Sequence, residues 1–227
     1  MEFLYARRPV MVEPQHALSG RVEPVRVSSV HLVFATPVDP VVDEPLEQVM
    51  FGMGCFWGAE RLFWNVPGVV ATSVGYAGGY TENPTYEEVC SGRTGHAEVV
   101  RVIYDASKVD LLTLLQVFFE GHDPTQLMGQ GNDVGTQYRS LIITFDQAQN
   151  RLALDVAGVF GDRLRAAGFG AMATEIVAAA TLKSSVPFYF AEDYHQQYLA
   201  KNPNGYCGLG GTGVSCPVGL LGESSTI

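Results

Sequence analysis

The chain is short of basic side chains. It has 14 Lys and Arg against 24 Asp and Glu, a formal net charge of −10. The positive footprint that phosphate backbones require is missing, so nucleic acid is not an expected partner. No apolar run is long enough to span a bilayer. The first twenty residues, MEFLYARRPVMVEPQHALSG, place charges and prolines where a secretory signal needs an apolar block. The expectation is a soluble, cytoplasmic, monomeric protein with no membrane partner. Cysteine is scarce: Cys55, Cys90, Cys207 and Cys216 are the complete set. In a cytosolic chain they point to redox, catalytic or metal roles before structural bridges, and the count alone does not choose among these. There is no internal repeat.

A length of 227 residues suffices for one well-filled core, or one domain with tails. Residues 1–47 hold Pro9, Pro14, Pro24, Pro37, Pro40 and Pro45 and no sustained periodicity, so they read as an irregular arm wrapping the body. Residues 48–200 read as the body of the fold. Residues 201–227 form a glycine-rich tail, too rich in Gly to hold a rigid element and expected to be flexible. Within the body, QVMFGMG predicts a buried strand and CFWGAERLFWNV a helix closed by Pro67-Gly68. GVVATSVGYAGGY, GHAEVVRVIYD, YRSLIITF and ATEIVAAA predict further strands.

The other predicted helices are NPTYEEVCSG, SKVDLLTLLQVFFEG with a capping-box-like start at Ser107, the stretch after Asp146, and AEDYHQQYLAKNPNG. The third of these is expected to be interrupted or weakened at Gly158 and Gly161. DPTQLMGQGNDVGTQ reads as a long functional loop. This order predicts an α/β (α+β) two-layer sandwich with a mixed sheet and a ferredoxin-like split βαβ core.

Cys55 lies in GCFWG, where a strand hands over to a helix. A helix N-terminus favours a thiolate, and Gly54 and Gly58 would clear the approach of a substrate. The plainer reading is a buried core cysteine. Phe56 and Trp57 are suited to line a pocket for a methyl on sulfur, although aromatics more often pack cores, as expected for Trp64. Glu98 shares a strand face with Val100 and Val102; there a desolvated carboxyl keeps its proton near neutrality and can give it to a leaving oxygen. A strand-end carboxylate facing water is the alternative. Tyr86, Asp133 and Tyr138 offer hydroxyls and an acid beside loops. His122 reads as a cation at a helix end and His195 as a satisfied structural residue on a helix; neither is assigned catalysis. Cys207 and Cys216 lack the close C-x₂₋₄-C pairs of zinc sites and suit stepwise thiol–disulfide exchange, with the tail glycines giving reach. Cys90 reads as structural.

These residues carry a resemblance. GCFWGAE, GYAGGYTENPTYEEVCSGRTGHAEVVRVIYD, QGNDVGTQYRS and GYCGLGG closely resemble the type A peptide methionine sulfoxide reductases, from about Phe51 to Pro217, in the longer bacterial form. The resemblance implies that Cys55 is the nucleophile and that Phe56 and Trp57 hold the S-methyl. It implies that Glu98 protonates the sulfoxide oxygen, that Tyr86 and Tyr138 bind that oxygen, and that Asp133 supports the site through a water. Cys207 would be the resolving cysteine and Cys216 would pass the disulfide to thioredoxin. The substrate would be the S epimer of methionine sulfoxide, free or in proteins, and the enzyme would serve protein repair under oxidative stress with no metal or organic cofactor.

Two departures stand out. Ser215 occupies the place where the second tail cysteine usually follows GxGV, and Cys216 comes one later. Gly121 stands where ENHDP would be usual, which predicts a slightly frayed helix end. A redox sensor without turnover, and a cysteine hydrolase pairing Cys55 with His122, are the competing readings.

Overall fold

A computed structural model of the chain describes residues 9–184 and 186–216. The first eight residues of the expected arm and residues 217–227 of the expected tail lie outside the described residues. The sheet is built by alternation. In β1 (Leu46–Met53), Val49, Phe51 and Met53 face one side and Met50 the other. Gly54 and Cys55 turn the chain into α1 (Phe56–Trp64), which returns to β2 (Val69–Ala77). The short α2 (Tyr86–Cys90) precedes β3 (Ala97–Asp105). β3 lies antiparallel between β1 and β2, which makes β1–α1–β2 a split βαβ unit.

α3 (Leu111–Gly121) leads through a hairpin, β4 (Gly129–Gln130) and β5 (Asp133–Val134), to β6 (Ser140–Thr144), which pairs antiparallel with β1. The order β6-β1-β3-β2 is the ferredoxin-like arrangement expected. α4 (Gln147–Ala166) then adds β7 (Glu175–Ala178) parallel to β6, making the sheet mixed, and β8 (Tyr189–Phe190) extends the other edge. α5 (Tyr198–Lys201) follows. The main core lies between one sheet face and α1, α3 and α4, where Phe51 stacks on Phe63 at 4.7 Å and on Phe118 at 5.2 Å. The opposite face is covered by Phe145, Leu182 and Phe188.

Four local expectations change. α4 runs unbroken for 20 residues through Gly158 and Gly161, because Ala153, Val156, Phe160 and Leu164 bury one stripe. That burial outweighs about 1 kcal/mol per glycine. α3 is capped by Asp110, whose Oδ1 accepts the Thr113 N–H at 2.8 Å, and Ser107 belongs to the preceding turn around Asp105. α3 also does not fray at Gly121. A Cβ there would lie 2.8 Å from both Leu62 Cδ1 and Met53 Cε, so glycine lets the helix end pack closely. The helix expected over AEDYHQQYLAKNPNG shrinks to α5, and residues 192–197 are a chain of turns closed by Gln197 at φ 47°.

Among the described residues the arm forms no strand before β1 and is tied to the loops flanking α2 and to β3. The Leu18 N–H donates to the Arg93 carbonyl, the Arg21 N–H to the Glu82 carbonyl, and Arg101 pairs with Asp39 at 2.7 Å.

Candidate active site

Cys55 is the N-cap of α1, so the first turn of that helix starts at its sulfur. The helix stands directly over β3, because the Phe56 N–H donates to Glu98 Oε2 at 3.1 Å. Glu98 points to the helix side of the sheet with Val100 and Val102, as its alternation predicts, and is 2% exposed. Desolvation pushes its carboxyl up to about 8, with the Phe56 N–H acting the other way. At neutral pH Glu98 is therefore a buried proton donor.

The Cys55 thiol does not follow the expectation of a lowered pKa. Burial pushes it up to about 12, and the charge of Glu98 adds to the rise; the Trp57 N–H at the helix start opposes them and loses. The resting sulfur is a thiol.

Cys55, Phe56, Trp57, Tyr86, Glu98, Asp133 and Tyr138 line one pocket of about 130 Å³, a size that suits an amino-acid side chain. Cys55, Phe56 and Trp57 come from the start of α1, and the others from separate local devices. Tyr86 opens α2, which a capping box fixes: Thr85 Oγ1 accepts the Glu88 N–H at 3.2 Å, and Glu88 Oε2 accepts the Thr85 N–H at 2.8 Å. Asp133 is held by the β4–β5 hairpin, where it pairs with Gln130; Gln130 is anchored to the Asp123 backbone through both ends of its amide. Tyr138 ends the turn Thr136–Tyr138. Both tyrosines are shifted upward, first by desolvation, and remain neutral hydroxyls.

The glycines of GCFWG do not clear a path for substrate. Gly54 has φ +87°, and a Cβ there would lie 2.5 Å from Gln130 Cβ, so this glycine makes the turn and admits Gln130. A Cβ on Gly58 would lie 2.9 Å from Cys207 Sγ and 2.9 Å from Leu209 Cδ1, so this glycine makes room for the tail.

Tyr206, which the sequence did not single out, belongs to the site, and His195, read there as a structural residue, backs its wall. Tyr206 lines the pocket and donates its hydroxyl to Asp133 Oδ2 at 3.3 Å. His195 is 1% exposed, in the 192–197 turns and not on a helix. Its Nδ1 accepts the Trp57 indole N–H at 3.0 Å, and its ring packs on Phe56, Tyr86 and Tyr194. That bond puts the imidazole proton on Nε2, which has no hydrogen-bond partner and lies 3.9 Å from Glu192 Oε2. Burial lowers His195 to about 4, so it is neutral. The Trp57–His195 pairing has no local signature, since the partners are 138 positions apart. The Trp57 ring stacks on Tyr198 at 3.8 Å.

His122 is no cation and no partner of Cys55. Both ring nitrogens are engaged, with the Phe118 carbonyl at 2.7 Å and Ser140 Oγ at 2.8 Å, and burial lowers it to about 4. Cys90 is exposed on α2, its sulfur beside the Tyr86 hydroxyl. Cys207 is exposed and near enough to Cys55 to act on it electrostatically. Cys216 is 5% exposed and packs into the main core, with its N–H donating to Glu120 Oε1 at 2.7 Å. In the extended tail Thr212, Val214 and Cys216 face the body while Ser215 faces outward, so the one-residue shift puts the cysteine on the inward side.

The chain is similar to known proteins. A family model described as peptide methionine sulfoxide reductase matches residues 47–212. The peptide methionine sulfoxide reductase MsrA of Brucella anthropi is 56% identical over 222 residues, which are 97% of this chain and 99% of that one. That of Rhodospirillum centenum is 59% identical over 202 residues, 89% of this chain and 90% of the other. Among solved structures, methionine sulfoxide reductase A of Corynebacterium diphtheriae superposes with a TM-score of 0.83 at 46% identity, covering 92% of this chain and 98% of that one.

Proposed function

The chain belongs to the peptide methionine sulfoxide reductases and is an enzyme that reduces methionine sulfoxide; on that premise we propose that it takes the S epimer, free or in proteins, by a Cys55 sulfenic acid. The observation that carries this reading is the pairing of a buried, protonated Glu98 with the Cys55 thiol in one pocket walled by Phe56 and Trp57. The aromatic pair takes the S-methyl, and Tyr86 and Tyr138 hold the sulfoxide oxygen within reach of Glu98. Asp133, tied to Tyr206, holds the rim and orients a water.

As the Cys55 sulfur attacks the sulfoxide sulfur, Glu98 gives its proton to the oxygen and recovers one from the thiol. The oxygen ends on Cys55, and methionine leaves. Cys207 then condenses with the sulfenic acid, Cys216 takes over the disulfide once the tail lifts from α3, and thioredoxin reduces the product. The site needs no cofactor for these steps. The protein works as a cytoplasmic monomer in repair of oxidised proteins, with residues 48–200 as the catalytic unit between arm and tail.

The test uses fully reduced protein without added reductant and separated epimers of N-acetylmethionine sulfoxide. Methionine formed from the S epimer alone, with two thiols lost for the first methionine of each chain, is the expected result. Equal turnover of the R epimer would sink the epimer assignment, and product without thiol loss would sink the sulfenic acid route.

A further inference from the structure

The sulfur of Cys207 rests on a seat that the helix of Cys55 provides. Gly58 and Arg61 follow Cys55 at three-residue spacing and so lie along one side of α1. Arg61 Nη2 donates to Cys207 Sγ at 3.0 Å. Beneath that contact Gly58 is buried, and any side chain there would meet both Cys207 Sγ and Leu209 Cδ1. Leu209 packs against the main core, and Tyr206 is tied to Asp133. Residues 206–209 are therefore held on both sides of the sulfur, one helical turn from the N-cap.

We infer that Arg61 is a positioning residue for the resolving step, holding Cys207 over Gly58 so that its sulfur meets Cys55 as soon as the sulfenic acid forms. This rests on the reading of Cys207 as the resolving cysteine. In the step the Cys207 sulfur attacks the Cys55 sulfur. The S–S bond forms and the Cys55 S–O bond breaks. The oxygen leaves as water with the sulfenic hydrogen and the Cys207 thiol proton. Cys207 is oxidised to the disulfide level and Cys55 is reduced to it, so no outside oxidant or reductant enters. Arg61 has no place in the pocket, and methionine formation does not depend on it.

The full chain, reduced and without added reductant, is mixed with the S epimer of N-acetylmethionine sulfoxide. The first methionine and the sulfenic acid trapped by dimedone are followed in time for the parent, Arg61→Met, Arg61→Lys and Cys207→Ser. Arg61→Met should release the first methionine at the parent rate but keep its sulfenic acid about tenfold longer, the worth of one hydrogen bond from a charged donor. Arg61→Lys should restore part of the closing rate. A residue that merely packed the tail would leave the trapping time unchanged. Disulfide closure at the parent rate in Arg61→Met would overturn the inference while leaving the relay intact. If Cys207→Ser fails to prolong the sulfenic acid, the resolving role itself falls and the seat with it. Gly58→Ala, which crowds the same sulfur from below, should lengthen trapping in the same direction; a parent-like lifetime there would count against the seat.

Discussion

The Trp57 indole N–H points at His195 Nδ1, 3.0 Å away, and this bond fixes the wall of the pocket against the turns that precede α5. His195 is 1% exposed. Replacing it by Ala leaves a buried indole N–H without an acceptor, a loss of about 1–2 kcal/mol. His195→Ala should raise KM for the sulfoxide about tenfold, with a smaller fall in kcat, because it loosens a binding wall and not the proton donor. His195→Gln, which keeps an acceptor, should recover part of the loss. Steady-state kinetics of the two variants check this, and an unchanged KM in both would remove His195 from the site.

Glu98 carries two linked expectations. Glu98→Gln keeps an acceptor for the Phe56 N–H but has no acidic proton, so formation of the first methionine should slow by about a hundredfold or more. In the parent, that rate should hold at lower pH and decline as pH rises through about 8, where Glu98 loses its proton; in Glu98→Gln this decline should vanish. Stopped-flow measurement of the first turnover across pH decides it.

The same carboxyl should cost stability. Its folded pKa of about 8 lies above the ordinary 4.5, so the folded chain keeps a proton that the unfolded chain releases. Stability is therefore lost as pH climbs from about 4.5 to about 8, and the loss is complete above that. Glu98→Gln should melt higher than the parent at pH 8.5 while working more slowly. A lower melting temperature there would contradict the desolvation account.

The sheet was legible because QVMFGMG is a short apolar run and GHAEVVRVIYD is rich in β-branched residues, and Glu98 could be placed on the face of Val100 and Val102 by counting. Cys55 at a helix start was legible too, but the sign of its shift was not. The helix N-terminus is a local feature, whereas the burial and the Glu98 charge that overrule it come from the packing of α1 on β3. Gly54 and Gly58 stood out as exceptional, but their partners, Gln130 and Cys207, arrive from 76 and 149 positions away. Tyr206 was missed, and His195 was read only as structural, for the same reason. Nothing near them in sequence marks a residue whose partner is Trp57 or Asp133.

Glu60 should prove a hidden support of the site. It is fully buried on α1 and pushed up to about 7 by desolvation, with the Gln197 and Thr72 bonds pulling it back. Its carboxyl accepts the Gln197 backbone N–H and side-chain amide, each at 2.9 Å, and the Thr72 hydroxyl at 3.1 Å. Glu60→Ala strands all three donors and should destabilise the fold by about 2–4 kcal/mol. Because Gln197 closes the turns that carry His195, activity should fall alongside. Denaturant unfolding checks the first effect; a midpoint equal to that of the parent would show that water replaces the carboxylate.

Cys216 is the point on which the recycling route turns. Three thiols acting in sequence would give two methionines per chain without reductant. The first turnover ends as a Cys55–Cys207 disulfide, transfer to Cys216 frees Cys55, and the second turnover then follows. Cys216→Ser should stop at one. The docked tail should set the pace of that transfer, because Cys216 is buried, its N–H is held by Glu120, and Arg163 Nη1 donates to the Ser215 carbonyl at 3.2 Å. Glu120→Ala should therefore shorten the interval between the first and second methionine without changing the first. One methionine from both the parent and Cys216→Ser would place Cys216 outside the relay, with its inward-facing position a packing role. In that case thioredoxin would have to reduce the Cys55–Cys207 bond directly, and reduction of the isolated one-turnover disulfide would proceed equally fast in both proteins.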